Sequence, residues 1–109
     1  MKKDFLVISE NRVIHKIPFS EIVHVVSSGM NSFIHKSNGD RHRCSKSMGT
    51  ICKELNTDIF LRIHTSHTVN HNHISKVKKE INGVVIMSNG SVLPISKRRK
   101  KDFFDKYLS

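Results

Sequence analysis

The chain reads as a mainly β fold, and three observations lead there. Asn-Gly pairs stand at 38–39, 82–83 and 89–90, each between β-rich runs. Asn-Gly suits a two-residue hairpin turn because both central residues of that turn need positive φ. Runs such as Ile22–Val26 and Val84–Met87 are built from β-branched and apolar residues, which favour strands. Only two stretches, Ser47–Leu55 and Lys97–Leu108, carry a helical period.

The elements follow in order. Phe5–Ile8 is an apolar run fit for a strand, Glu10–Arg12 a turn, and Val13–Ile17 the return, ended by Pro18. Ile22–Val26 is a strand by composition, broken by the small and turn-forming residues Ser27–Ser32. Phe33–Lys36 resumes extended structure, Asn38-Gly39 turns it, and Arg41–Cys44 returns as a polar strand. In the internal helix Ser47 is placed to cap the start, and Met48, Ile51, Cys52 and Leu55 share one face. Arg62–His64, Thr68–Asn70 and the imperfectly alternating His73–Lys79 are extended. Val84–Met87 and Val92–Ile95 complete an antiparallel meander, each preceded by an Asn-Gly turn. From Lys97 the pattern becomes helical, with Phe103, Phe104, Tyr107 and Leu108 on one side.

A length of 109 residues predicts one domain over 1–109, with enough chain for a modest core. The net charge of +10 concerns partners rather than fold, and nucleic acid, an anionic membrane surface and an acidic protein are the candidates. A solvated basic surface is the plainer alternative. Cys44 and Cys52 match neither a disulfide framework nor a zinc spacing, so both read as reduced thiols. No apolar run is long enough to cross a bilayer, and the N-terminal run is too short for a signal peptide. A cytoplasmic location is the expectation.

Catalysis has little support, for there is no nucleophile with a placed base, no P-loop and no paired-carboxylate motif; the chain does not read as an enzyme. Of the eight histidines, His64, His67, His71 and His73 lie close in sequence, but no cysteine or spaced carboxylate completes a zinc set. His15, His24, His35 and His42 are scattered through strands, where structural roles are commoner. No metal or cofactor is expected.

Two segments carry the functional signal. Phe60–Asn70 alternates apolar and polar residues and ends in small hydrogen-bonding side chains. Leu93-Pro94-Ile95-Ser96 runs into five consecutive cations, Lys97 to Lys101. In this register Phe60, Arg62, Ile63, His64, Ser66, Val69, Asn70 and Ile74 resemble the LytTR DNA-binding domain of bacterial transcription regulators. Leu93–Ser96 with its basic sequel resembles the end of that domain. Val84–Gly90, Ile17–Val26 and Ile51–Leu55 fit its other segments, so the resemblance covers nearly the whole chain.

The resemblance implies an elongated fold of about ten strands in three small antiparallel sheets, with a short internal helix and a C-terminal helix. It implies sequence-specific binding of double-stranded DNA in transcription regulation, with loops rather than a helix inserted into successive major grooves. Gly29–Ser32, His64–Ser66 and Ser96–Arg98 are the corresponding loops. Asn31, Ser32, Thr65, Lys97 and Arg98 are then the expected base contacts, since Asn suits adenine, Arg and Lys suit guanine, and Thr suits a thymine methyl or an acceptor. Arg62, His64, Ser66, Arg99, Lys100 and Lys101 are the expected phosphate contacts. Asn31 alone also fits ordinary turn chemistry, and His64 a backbone-bonded structural role. The chain departs from the family's usual pattern at Thr65, His67 and Lys97, and lacks the acidic residue that commonly precedes the first loop's glycine. The resemblance further implies two copies on repeated half-sites, and a receiver domain if the chain is an excised fragment.

The alternative is a basic RNA-binding or ribosome-associated module, which should expose aromatics for stacking. Phe5, Phe19, Phe33 and Phe60 sit among apolar neighbours and read instead as core. A third reading is a domain that recognises acidic protein partners.

Overall fold

The computed structural model describes residues 3–79 and 83–109. Strands β1 (Phe5–Glu10) and β2 (Val13–Pro18) form a two-stranded hairpin. Strands β3 (Ile22–Ser28), β4 (Asn31–Lys36), β5 (Arg41–Cys44), β6 (Phe60–His64) and β7 (His67–Asn70) form a five-stranded sheet in the order β5-β4-β3-β7-β6. Strands β8 (Ile74–Lys78), β9 (Val84–Met87) and β10 (Val92–Pro94) form a three-stranded sheet. Every pairing is antiparallel. Helix α1 (Met48–Glu54) follows β5, and a 3₁₀ turn at Lys97–Arg99 leads into helix α2 (Lys100–Tyr107). The mainly β reading therefore holds, with ten strands in three antiparallel sheets and two short α-helices among the described residues.

Two apolar clusters hold these pieces together. The first joins Leu6, Ile8 and Ile17 of the hairpin to Val25 and Ile34 of the large sheet and to Met48, Ile51 and Leu55 around α1. The second joins Val23, Leu61, Ile63 and Val69 to Val85, Met87, Leu93, Ile95 and Phe103. A register shift between Ile22 and His24 explains how one strand feeds both. It breaks strict alternation, so Ile22, Val23, His24 and Val25 are all buried, with Ile22 and Val25 in one cluster and Val23 in the other. Ser47 caps α1 through its Oγ, which accepts from the Thr50 N–H.

The Asn-Gly turns at 38–39 and 89–90 form by a different route from the one expected. In these two turns Gly39 (φ 93°) and Gly90 (φ 88°) are left-handed, while Asn38 and Asn89 are not. The asparagine side chains instead accept from the N–H two residues on, at Asp40 and Ser91, while each glycine N–H donates back to Lys36 O or Met87 O. Among the described residues, the turn with two left-handed central residues is Asn11-Arg12, at φ 52° and 65°. Of the third pair, Asn82 lies outside the described residues.

Three other expectations need correction. Phe5 and Phe33 are half-buried rather than core, because strand alternation sets them on the face opposite buried Leu6 and Ile34; there each ring lies under a cation, Lys16 Nζ at 4.1 Å and the Arg41 guanidinium at 4.9 Å. Phe19 and Phe60 are core and meet edge to face. Leu108 does not join Phe103, since it lies beyond the last turn of α2 and is 69% exposed.

Candidate nucleic-acid interface

Strand order alone places two loops side by side. β3 and β6 run in one direction while β4 and β7 return, so the β3–β4 turn at Gly29-Met30 and the β6–β7 turn at Thr65-Ser66 lie at the same end of the sheet. The Ser27 N–H donates to Ser66 O at 3.0 Å and joins them. β6 is an edge strand, and Ile63 O accepts from the Ser96 N–H at 2.8 Å. That bond brings the 3₁₀ turn Lys97–Arg99 to the same end. Three loops thus stand in a row.

Each loop is built from its own residues. Gly29 takes φ 61°, a conformation that costs a side-chain-bearing residue, and leaves Met30 at the tip, 76% exposed. Asn31 is half-buried beside it. In the second loop the Arg62 Nη2 donates to Thr65 O at 2.9 Å, and the Ser66 N–H donates to His64 Nδ1 at 3.1 Å. Both side chains are therefore spent partly on shaping the turn, and Thr65 is left exposed at its tip. In the third loop the Arg99 N–H donates to Ser96 O, and Lys97 and Arg98 are exposed.

Charge concentrates behind the second and third loops. Burial pushes the Arg99 guanidinium below its ordinary pKa, and the positive charges of Arg62 and Arg98 push the same way, against the opposing effect of Cys52 and Asp102. The guanidinium groups of Arg62 and Arg98 are thus close enough to Arg99 to repel it. The Arg62 Nε is buried and has no hydrogen-bond partner among the described residues. Cations held against each other in this way gain from a polyanion that screens them.

Most of the expected site residues converge at this end of the sheet. Asn31, Thr65, Lys97 and Arg98 stand on the three loops, with Arg62, His64, Ser66 and Arg99 just behind. Lys101 is exposed on α2. Lys100 is half-buried, with its Cε close to Gly83. Ser32 is the exception: it is fully buried, and its Oγ donates to Lys46 O at 2.6 Å. It belongs to β4, where alternation turns it to the same side as buried Ile34, so it is not available to a base edge. Met30 is not among the expected residues, although a large apolar residue directly after a turn glycine is a legible sign of an exposed tip.

The four neighbouring histidines do not gather. His64 and His67 meet edge to face, His71 packs on Tyr107, and His73 bonds Ser88 Oγ and Ser20 O. Asn70 is structural too. Buried, it donates to Phe19 O and Ile22 O and accepts from the Asn72 N–H.

Comparison with known proteins agrees with this architecture. The sequence profile of the LytTR DNA-binding domain matches residues 12–107. Transcriptional regulatory protein LytR of Staphylococcus aureus, in strains N315 and MW2 alike, is 28% identical over 92 residues, covering 83% of this chain and 37% of the relative. The chain thus spans little more than a third of the length of these relatives. Among solved structures, the LytTR DNA-binding domain of a Bacillus cereus protein described as a methyl-accepting/DNA response regulator superposes with a TM-score of 0.80 at 22% identity, over 98% of both chains. With a family match that runs from the β1–β2 turn to the end of α2, the chain belongs to the LytTR DNA-binding domain family.

Proposed function

We propose that residues 1–109 act as one DNA-reading unit in which the Gly29–Asn31, Thr65-Ser66 and Ser96–Arg98 loops together face duplex DNA. Membership of the family makes the chain a non-catalytic DNA-binding module of transcription regulation and sets aside the RNA-binding alternative. The observation that carries the assignment of loops is the pair of backbone bonds, Ser27 to Ser66 and Ser96 to Ile63, that aligns all three. Strands in a sheet lie about 4.8 Å apart, so the two outer loops are rooted roughly 17 Å from each other. That exceeds the minor groove width of about 6 Å, so the outer loops can stand on either side of a minor groove, in successive major grooves.

In this arrangement Met30, Asn31, Thr65, Lys97 and Arg98 reach base edges. Met30 takes the place intended for Ser32 and suits a thymine methyl. Arg62, Arg99 and Lys101 neutralise phosphates, with His64, Ser66 and Lys100 at the margin of the interface. Two copies on repeated half-sites supply the affinity that one small module lacks. A receiver domain elsewhere in a longer protein, and a cytoplasmic location, go with this reading. No helix among the described residues is long and apolar enough to cross a membrane.

Binding of fluorescent duplexes selected from random sequence, followed across a salt series, tests the proposal. Log affinity should fall with log salt at a slope near −0.9 for each phosphate neutralised, and the single strands of the same sequence should bind far more weakly. A flat salt response, or equal affinity for single strands, would refute it.

A further inference from the structure

The β1–β2 hairpin carries a side-chain cluster that lies outside the three loops proposed to face DNA. Leu6 and Ile8 of β1 and Ile17 of β2 form its apolar face, packed on the large sheet. Towards the turn the same face becomes polar: Ile8 pairs with His15, and Glu10 lies diagonally beside His15. His42, on edge strand β5, meets them there. Its Nδ1 lies 2.9 Å from Glu10 Oε1, and His15 Nε2 lies 3.9 Å from the same oxygen. The two imidazole centroids are 4.5 Å apart.

We propose that Glu10, His15 and His42 form a three-ligand site for a divalent transition metal of the zinc class, clasping the hairpin to β5. One ligand atom from each residue lies within 4.8 Å of the others. Tetrahedral bonds of about 2.0–2.1 Å require roughly 3.4 Å between ligand atoms, so the 2.9 Å His42–Glu10 pair must open and the 3.9 Å His15–Glu10 pair must close, adjustments within reach of small rotations of the two rings. The carboxylate is already oriented. Glu10 Oε2 accepts from the Arg43 N–H at 2.9 Å, which leaves Oε1 facing both rings. Such an outer hydrogen bond is what fixes a ligating carboxylate in metal sites. Two imidazoles and one carboxylate favour zinc, copper or nickel over magnesium or calcium, which prefer all-oxygen shells.

The surroundings permit a cation despite the basic composition. Strand alternation sends Arg41 and Arg43 to the face away from His42, and Arg41 is held over the Phe33 ring. All three ligands are partly exposed, which gives the ion an entry path and leaves the fourth position to water or an external donor. A metal here raises the stability of the hairpin docking by mass action and is not required for folding.

The test uses the full untagged chain, stripped of metal and titrated with zinc chloride by calorimetry, with melting followed in parallel. One zinc ion should bind in the tightest class and raise the melting temperature. Glu10→Gln, which keeps an acceptor for Arg43, and His15→Ala, at a half-exposed position, should each weaken that class by about tenfold or more. His64→Ala should leave it unchanged. Proton spectra of the unmodified chain provide a readout free of any folding defect: zinc should shift the ring resonances of His15 and His42 first. Equal zinc affinity in the parent and both variants, absence of saturable one-to-one binding, or first shifts at other histidines would overturn the site.

Discussion

Ser96 donates its backbone N–H to the carbonyl oxygen of Ile63 at 2.8 Å. β6 is the edge of the five-stranded sheet, so that carbonyl has no further strand to bond. The chain leaving β10 supplies the missing donor and carries Lys97 and Arg98 beside the β6–β7 turn. A cationic segment about 30 residues further along the chain is thereby fixed against a hairpin tip, without a recognition helix.

The loop assignment predicts a division of roles. Thr65→Ala and Lys97→Ala should each reduce discrimination between a selected site and a scrambled one by roughly 1–3 kcal/mol, the usual worth of a good base-edge interaction. Lys101→Ala, on the exposed side of α2, should weaken both DNAs alike and lower the salt slope by about one phosphate. All three positions are exposed, so melting temperatures should stay close to that of the parent. Competition binding with both duplexes at several salt concentrations checks this. An unchanged specificity ratio in Thr65→Ala and Lys97→Ala would remove these side chains from base readout.

The parts legible in sequence are those governed by local chemistry. The β-branched runs, the Ser47 cap and the spacing of Met48, Ile51 and Leu55 each imply the element that forms. The Asn-Gly pairs mark two hairpins correctly but not their turn chemistry, because asparagine has a second route, hydrogen bonding to the N–H two residues on. Less legible are contacts between distant elements. Phe33 reads as core until pairing of β4 fixes it on the face opposite buried Ile34, where Arg41 of the neighbouring strand covers its ring. Ser32 reads as a loop residue until Lys46 O takes its hydroxyl. His15 and His42 are far apart along the chain, and only the docking of the hairpin on β5 makes them neighbours.

Asn70 gives a second prediction, in which a residue of the family-like motif acts on stability. Its amide bridges the end of β7 to the turn before β3, through Phe19 O at 3.0 Å and Ile22 O at 2.9 Å. Asn70→Ala leaves those buried carbonyls without their donor and the Asn72 N–H without its acceptor. The expected destabilisation is about 2–4 kcal/mol, or roughly 10–20 °C in melting temperature for a domain of this size. Asn70→Asp should be at least as damaging, because it directs a carboxylate at two carbonyl oxygens. Well below the melting transition, the Ala variant should still bind DNA with near-parental affinity. Thermal unfolding and binding measured on the same samples separate the two effects; a stable variant with weakened binding would place Asn70 in the interface instead.

His24 makes stability depend on pH. The ring is 3% exposed, stacks on His35 with centroids 4.4 Å apart, and has its Nε2 3.3 Å from Ser91 Oγ. Burial, with added repulsion from His35 and His67, pushes its pKa from 6.5 down to about 4. The unfolded chain therefore takes up this proton at a higher pH than the folded chain. Stability is at its full value above about pH 6.5, falls as the pH drops towards 4, and loses nothing further from this group below that. The shift corresponds to at most about 3 kcal/mol. His35 and His67, also lowered by burial, add to the same slope. Urea unfolding from about pH 7.5 to about pH 4.5 should show the decline. His24→Phe, which can still stack on His35 but cannot titrate, should flatten it even if its stability at neutral pH is lower. An identical pH slope in parent and variant would mean that His24 binds its proton equally well in the folded and the unfolded chain, so that burial does not depress its titration.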